Sequence, residues 1–171
     1  MSRSTCLAAA LAVTLVTALP AAARPACQTP AEIGAMRFRQ LQIDLWLAAA
    51  KCGGIGDVAA PYNAYVEKSR RSLIENGRQL NAMFVRRGKG TAALDHYLTS
   101  MANDAQIRSE SVANYCAVQA VTLERAATLD GGDLPAYAAQ VVPSPYGAVP
   151  CPDREAGARP VRKSTRPEGA G

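Results

Sequence analysis

Four cysteines constrain what this chain can fold into more than any other feature of its sequence. Cys27, Cys52, Cys116 and Cys151 are spread along the chain, and a fifth, Cys6, lies in its N-terminal segment. An even number of cysteines in an exported protein predicts two disulfides, for which three pairings are possible. The four are too far apart in sequence for a zinc or haem attachment motif, so we expect them to hold no metal and no cofactor.

The N-terminal segment 1–23 is typical of a signal peptide. Arg3 precedes an apolar run over 7–19, and the small residues 21–23 predict cleavage after Ala23. The run has about 13 residues, fewer than a membrane span requires, so we expect no transmembrane segment. The alternative is a lipoprotein, but the residues before Cys27 lack the small and aliphatic side chains of a lipid-attachment site. We therefore predict a periplasmic or secreted protein.

Composition favours helices for the rest of the chain. Hydrophobic residues make up 49% of the sequence but aromatic residues only 5%, so the core must consist mostly of alanine, leucine and valine, which suits packed helices better than a sheet sandwich. The net charge of +5 is too scattered to indicate nucleic-acid binding. We predict an all-α fold: an antiparallel bundle of three long helices and a short C-terminal helix over 24–142, followed by a Pro- and Gly-rich irregular tail over 143–171, tethered at Cys151.

The first predicted helix has clear signals at both ends. Thr29, Pro30 and Glu32 form the pattern of an N-cap, a first helical residue and a capping box. Gly53 and Gly54 predict a left-handed end after Cys52. Apolar residues on two faces predict that this helix is central. Trp46, on the same helix, is either a ligand platform or, as we favour, a partly buried bundle tryptophan.

Two further helices follow by periodicity. The second begins near Pro61, and its predicted buried seam comprises Tyr62, Val66, Ser69, Leu73, Asn76, Leu80 and Met83. The third runs from Thr91 to about Ala127, with a possible break near 103–108, where polar residues interrupt the apolar stripe. Asp133 and Pro135 favour a short last helix over 133–140.

Basic residues cluster where the second helix ends. Arg86, Arg87 and Lys89 are favoured there by the helix dipole, and weak contact with an anionic surface is the alternative role. Basic residues of the tail offer the same choice between an anionic contact and simple solvation. They are Arg159, Arg162, Lys163 and Arg166.

Helix lengths exclude one disulfide pairing and favour another. Cys27 and Cys52 lie at opposite ends of a helix about 34 Å long, whereas bridged Cα atoms lie within about 7 Å. In an up, down and up arrangement Cys116 lies level with Cys52, which predicts the pairs Cys52–Cys116 and Cys27–Cys151. A Cys27–Cys116 link would instead mean that the third helix breaks near Asn103 and turns back.

Catalytic signatures are missing from the sequence. It contains no HExxH, GxSxG, phosphate-binding glycine loop, CxxC or CxxCH. The single histidine, His96, follows Asp95, but neighbouring helical residues point in different directions and do not form a dyad. If the protein were an enzyme, the polar run on the third helix would supply its candidates, Asp95, His96, Asn103 and Arg108.

Several segments together resemble a family of small exported helical proteins of proteobacteria with no established function. They are MRFRQLQIDLWLAAAKCG (36–53), YNAYV (62–66), LDHYLTSMAN (94–103) and NYC (114–116). The resemblance spans roughly residues 27–127 and implies a helical fold, export and disulfides. Members sometimes carry the automatic name S-adenosyl-L-homocysteine hydrolase, but this chain lacks the glycine-rich fingerprint of that enzyme's dinucleotide site.

Two functions remain open on the sequence. The first is a non-enzymatic envelope protein that binds a protein, cell-wall or lipid partner. The second is a small periplasmic hydrolase with a site on the third helix. A deep pocket that joins two or more of the four candidate side chains would favour the enzyme, and an exposed apolar or basic patch would favour the binder.

Overall fold

The protein is all-α, as predicted, in a computed structural model that describes residues 27–54 and 58–152. The five helices are α1 (Pro30–Cys52), α2 (Ala59–Arg86), α3 (Thr91–Ser111), α4 (Tyr115–Thr128) and α5 (Leu134–Val141). The predicted signal peptide, and the predicted tail after residue 152, lie outside the described residues. Within the described part, no helix combines the length and the hydropathy that a membrane span needs.

Helix α1 begins as predicted and ends differently. The Thr29 side chain accepts a hydrogen bond from the backbone N–H of Glu32, and the Glu32 carboxylate accepts one from the Thr29 N–H (2.8 Å), which confirms the capping box. The predicted left-handed end is wrong, because Gly53 has φ −57° and ψ −16° and so continues the right-handed geometry. A glycine after a helix permits a left-handed cap but does not impose one.

Helix α1 is the central element of the fold, since it contacts each of the other four helices. Its buried residues lie all round the helix, as the two apolar faces predicted. They are Ile33, Ala35, Met36, Phe38, Gln40, Leu41, Leu45, Leu47, Ala48 and Cys52.

The buried face of α2 follows most of the predicted seam. Asn76 is fully enclosed and donates from its side-chain amide to the backbone carbonyl of Ala35 on α1 (2.8 Å). Val66 is exposed, so its place in the predicted seam is wrong, and Tyr65 is buried instead. The prediction alternated steps of four and three residues, which average 3.5. A straight helix has 3.6 residues per turn, so this repeat drifts along α2, and the buried position before Ser69 is four residues back, at Tyr65, and not three.

The third predicted helix is broken, but not near 103–108. It continues to Ser111 and restarts at Tyr115 after Asn114, which has the left-handed φ of 55° that asparagine tolerates. The polar residues at 108–109 do not interrupt α3 because they find partners in place. Arg108 pairs with Asp44 of α1 (2.8 Å), and Ser109 accepts a hydrogen bond from the Lys51 ammonium (2.8 Å).

Residues 143–152, which we call the strap, pack against the helices instead of forming the start of a free tail. The strap is irregular, as predicted, but Pro145 is buried and Arg37 of α1 donates to the Pro143 carbonyl (2.8 Å). Its far end is fixed to the start of α1 by a disulfide between Cys27 and Cys151.

A second disulfide joins Cys52 at the end of α1 to Cys116 in the first turn of α4, with Cα atoms 5.6 Å apart. Both pairs are those expected from helix lengths. Cys52 lies in one hydrophobic cluster with Tyr65 and Leu123, whereas a second cluster, around Met36, Leu80 and Phe84, lies at the strap end of the molecule. The candidate site adjoins this second cluster.

Candidate functional site

A pocket of about 280 Å³ lies between the strap, the end of α2 and the first half of α3. We call it the strap pocket. Its floor is apolar and its rim is polar, a common composition for a small-molecule site. The lining residues are Gln28, Met36, Met83, Phe84, Arg87, Lys89, Ala93, His96, Tyr97, Ser100, Tyr146 and Gly147.

The wall formed by the strap is held by a short ladder to Gln28. The Gln28 N–H donates to the Val149 carbonyl (2.8 Å), the Cys151 N–H donates to the Gln28 carbonyl (2.8 Å), and the Gln28 side chain accepts from the Val149 N–H (2.6 Å). Gln28 and Pro150 form the isolated β-bridge at this point. Because Cys27 precedes the ladder directly, the disulfide and these hydrogen bonds hold the same two segments together.

Aromatic side chains connect the strap to the helices. The rings of Phe84 and Tyr97 lie 5.5 Å apart, and those of Tyr97 and Tyr146 lie 6.1 Å apart. The Tyr97 hydroxyl donates to the Tyr146 carbonyl (3.1 Å), and the Tyr146 N–H donates to the Gln40 side chain (2.9 Å). Burial raises the pKa of Tyr97, so its phenol is neutral at physiological pH. Ring contacts and hydrogen bonds therefore join the strap to α1, α2 and α3.

The charges at the pocket are positive. Arg87, Lys89 and His96 are among its lining residues, and no aspartate or glutamate is among those described there. Two cations beside a histidine, with no carboxylate in the described lining, favour an anion through Coulomb attraction and charge-assisted hydrogen bonds. The pocket offers this charge beside an apolar floor, so it suits an anionic group attached to an apolar body.

The predicted basic cluster is divided by the structure. Arg87 and Lys89 line the pocket, but Arg86 forms a two-pronged ion pair with Glu32, at 2.7 Å for both its Nε and its Nη2, and also donates to the Cys27 carbonyl (3.1 Å). Burial by itself would raise the pKa of Glu32, but the hydrogen bonds from Arg86 and Thr29 outweigh it and lower that pKa. Arg86 thus fixes α2 to the start of α1.

The four candidate catalytic side chains are not brought together in the strap pocket. Asp95, Asn103 and Arg108 are exposed and absent from its lining, and only His96 of the four is present there. Arg108 is committed to ion pairs with Asp44 and Asp104. In the described residues no group of three histidine, cysteine, aspartate or glutamate side chains could hold a metal ion.

Sequence reasoning found the basic residues of the pocket but missed its polar and aromatic walls. Gln28, Tyr97 and Tyr146 carry no motif and come from three separate parts of the chain. The one available signal was Cys151, since a disulfide to Cys27 must bring the residues just before it close to the start of α1.

No family model, no curated protein and no solved structure matches the chain. The resemblance to small exported proteobacterial proteins therefore stays a prediction.

Proposed function

We propose that this chain is an exported, non-enzymatic envelope protein whose strap pocket binds an anionic group of its partner. The observation that carries the proposal is the convergence of Arg87, Lys89 and His96 on one pocket whose described lining contains no carboxylate. An anion bound there would gain Coulomb attraction from both cations and charge-assisted hydrogen bonds from their side chains.

The proposed architecture is an up, down and up bundle with α3 and α4 as one interrupted third helix. Contacts at both ends support it. Arg86, at the end of α2, meets Glu32 at the start of α1, and Cys116 in α4 meets Cys52 at the end of α1. This arrangement places the end of α2 and the start of α3 at the strap, where the pocket lies. Two disulfides fit a periplasmic or secreted location.

The lining residues of the strap pocket indicate which chemical groups a ligand should carry. The cations select a phosphate or carboxylate, and the floor of Met36, Met83 and Phe84 favours an apolar body next to that group. Among the lipid, cell-wall and protein partners that the sequence leaves open, an anionic lipid presents this combination most directly. We therefore propose an anionic lipid headgroup and the first part of its acyl region as the ligand.

The hydrolase alternative has less support from the same geometry. His96 and Ser100 both line the pocket, one helical turn apart. However, the Ser100 hydroxyl donates to the backbone carbonyl of His96 (2.9 Å) and not to its imidazole ring. A serine nucleophile needs its base within hydrogen-bond reach of the hydroxyl, so this pair is not arranged for nucleophilic attack.

The test is binding of the exported chain to vesicles of phosphatidylglycerol and phosphatidylcholine, with pure phosphatidylcholine vesicles as the uncharged comparison. Arg87→Gln/Lys89→Gln removes two charges from the pocket and should weaken anionic vesicle binding by about tenfold or more. Arg70→Gln/Arg71→Gln makes the same change in net charge on the exposed side of α2 and should have a much smaller effect.

Equal losses in the two double variants would mean that net charge, and not the pocket, controls binding. Binding of inorganic phosphate or a soluble cell-wall fragment, but not of anionic vesicles, would replace the lipid by that ligand. Absence of binding to all of these would refute the proposal of an anion site.

A further inference from the structure

A second recess lies along α1, shares no lining residue with the strap pocket, and contains the single tryptophan of the chain. Trp46 is 53% exposed, so it is less buried than the partly buried tryptophan that we favoured from the sequence. The recess has a volume of about 230 Å³. We call it the Trp46 groove. Its lining residues are Arg39, Gln42, Ile43 and Trp46 of α1, Tyr62 of α2, and Leu98 and Ala102 of α3.

The groove has one charged residue in its described lining, Arg39, and no described carboxylate neutralises that charge. In the part of the chain that the structure describes, no carboxylate lies within ion-pair distance of Arg39, and its guanidinium donates to the neutral Gln42 side chain. Its Nε–H is buried and has no acceptor there. Gly77 of α2 lies against the guanidinium, where an added Cβ would be 3.6 Å from Nη2.

This arrangement is unfavourable for the protein alone. Arg39 is partly desolvated, and a hydrogen bond to the neutral Gln42 amide recovers only part of the hydration that a cation loses. The same desolvation lowers the pKa of Arg39. An anion in the groove would supply the counter-charge that Arg39 lacks among the described residues, and a guanidinium can offer a carboxylate two parallel hydrogen bonds.

We propose that the Trp46 groove binds a small aromatic carboxylate, whose carboxylate pairs with Arg39 and whose ring packs on Trp46. Three features select this class of ligand. The single guanidinium matches one negative charge. The exposed indole and the Tyr62 ring offer flat apolar surfaces to an aromatic ring. The small volume accommodates one ring and a short side chain, and excludes a folded partner. The site is independent of the strap pocket and of its proposed lipid.

The single tryptophan makes the test direct, because all tryptophan fluorescence reports on this groove. The probe is 3-phenylpropionate, and the uncharged comparison is 3-phenylpropionamide, which has the same ring and nearly the same shape. We expect saturable change in Trp46 emission with the carboxylate, and binding of the amide at least about tenfold weaker, since a hydrogen bond to a charged group is lost.

Substitutions test whether Arg39 binds the carboxylate. Arg39→Gln should weaken binding of the carboxylate by about 10- to 100-fold and leave the weak amide binding unchanged. Arg39→Lys keeps the charge but loses the planar fork, so its affinity should be intermediate. Arg71→Gln makes the same change in net charge as Arg39→Gln at an exposed site on α2 and should bind as the unchanged chain does. Circular dichroism checks that each variant is folded.

Several results would overturn the proposal. Equal binding of the acid and the amide would remove the role of the charge, and this comparison needs no variant. Unchanged affinity in a folded Arg39→Gln would exclude Arg39 as the carboxylate's partner. Loss of binding in Arg87→Gln would place the ligand in the strap pocket. No saturable fluorescence change in the millimolar range would mean that the groove is not a site for this class of ligand.

Discussion

Removal of the disulfide between Cys52 and Cys116 should destabilise the protein by about 4 to 5 kcal/mol. The change is Cys52→Ala/Cys116→Ala, which leaves no free thiol from this pair. The two residues are 64 apart in sequence, and the chain-entropy treatment of a loop of that length gives about 4 kcal/mol at 25 °C. Cys52 is also enclosed in the core, so loss of its sulfur adds a small packing cost, about 1 kcal/mol for one buried atom group.

The second disulfide provides the comparison. Cys27 and Cys151 are 124 apart, so loop length alone would give about 5 kcal/mol, the larger of the two costs. We expect the reverse order. Without this bond the strap can detach while the five helices stay folded. The folded state of the variant then also gains conformational entropy, which offsets part of the gain in the unfolded state. Cys27→Ala/Cys151→Ala should therefore cost clearly less than the change at Cys52 and Cys116.

The assay is urea unfolding followed by the helical circular dichroism signal, with free energies extrapolated to zero urea. Hydrogen exchange in 143–151 should become fast in Cys27→Ala/Cys151→Ala and stay slow in the other variant. A cost below about 1 kcal/mol for Cys52→Ala/Cys116→Ala would refute the entropic reasoning. A larger cost for the Cys27–Cys151 pair, with its strap amides still protected, would refute the detachment argument.

Three further predictions concern single residues. Folding lowers the pKa of Glu32, so its contribution to stability is complete above the unfolded pKa and is lost as pH falls through the folded pKa. The difference in unfolding free energy between the unchanged chain and Glu32→Gln should therefore shrink between pH 6 and pH 3 in urea titrations. Asn76→Asp should cost more than Asn76→Ala, because both lose the donor to the Ala35 carbonyl but aspartate also buries a negative charge against that oxygen; equal losses in thermal unfolding would contradict this. Gly131→Ala should cost about 1–2 kcal/mol, because its Cβ would lie 2.7 Å from the Ser72 hydroxyl and 3.1 Å from a backbone carbonyl of α2. The control is Gly132→Ala, whose Cβ would meet no atom within 4 Å, and equal stabilities of the two variants would contradict the predicted clash.

Features that depend on neighbours in sequence were predictable. The capping box at Thr29 and Glu32 involves residues three apart, so local geometry alone specifies it. The all-α class follows from periodicity and from a composition poor in aromatic residues. The expected disulfide pairs needed one more step, the rise per residue of a helix, and that step also uses only the chain's own dimensions.

Features that depend on contacts between distant segments were not predictable. The helix break was expected near 103–108 because polar residues interrupt the stripe there, but Asp44 and Lys51 of α1 satisfy those residues and the break falls at Asn114. The strap pocket combines side chains from the start of α1, the end of α2, α3 and the strap. Arg39 carries no signal in the sequence, since only the approach of α2 and α3 to one face of α1 desolvates it beside Trp46. Local sequence thus determined the helices and the cysteine framework, whereas tertiary packing decided which side chains from distant segments meet, and with them the strap pocket and the partly desolvated Arg39.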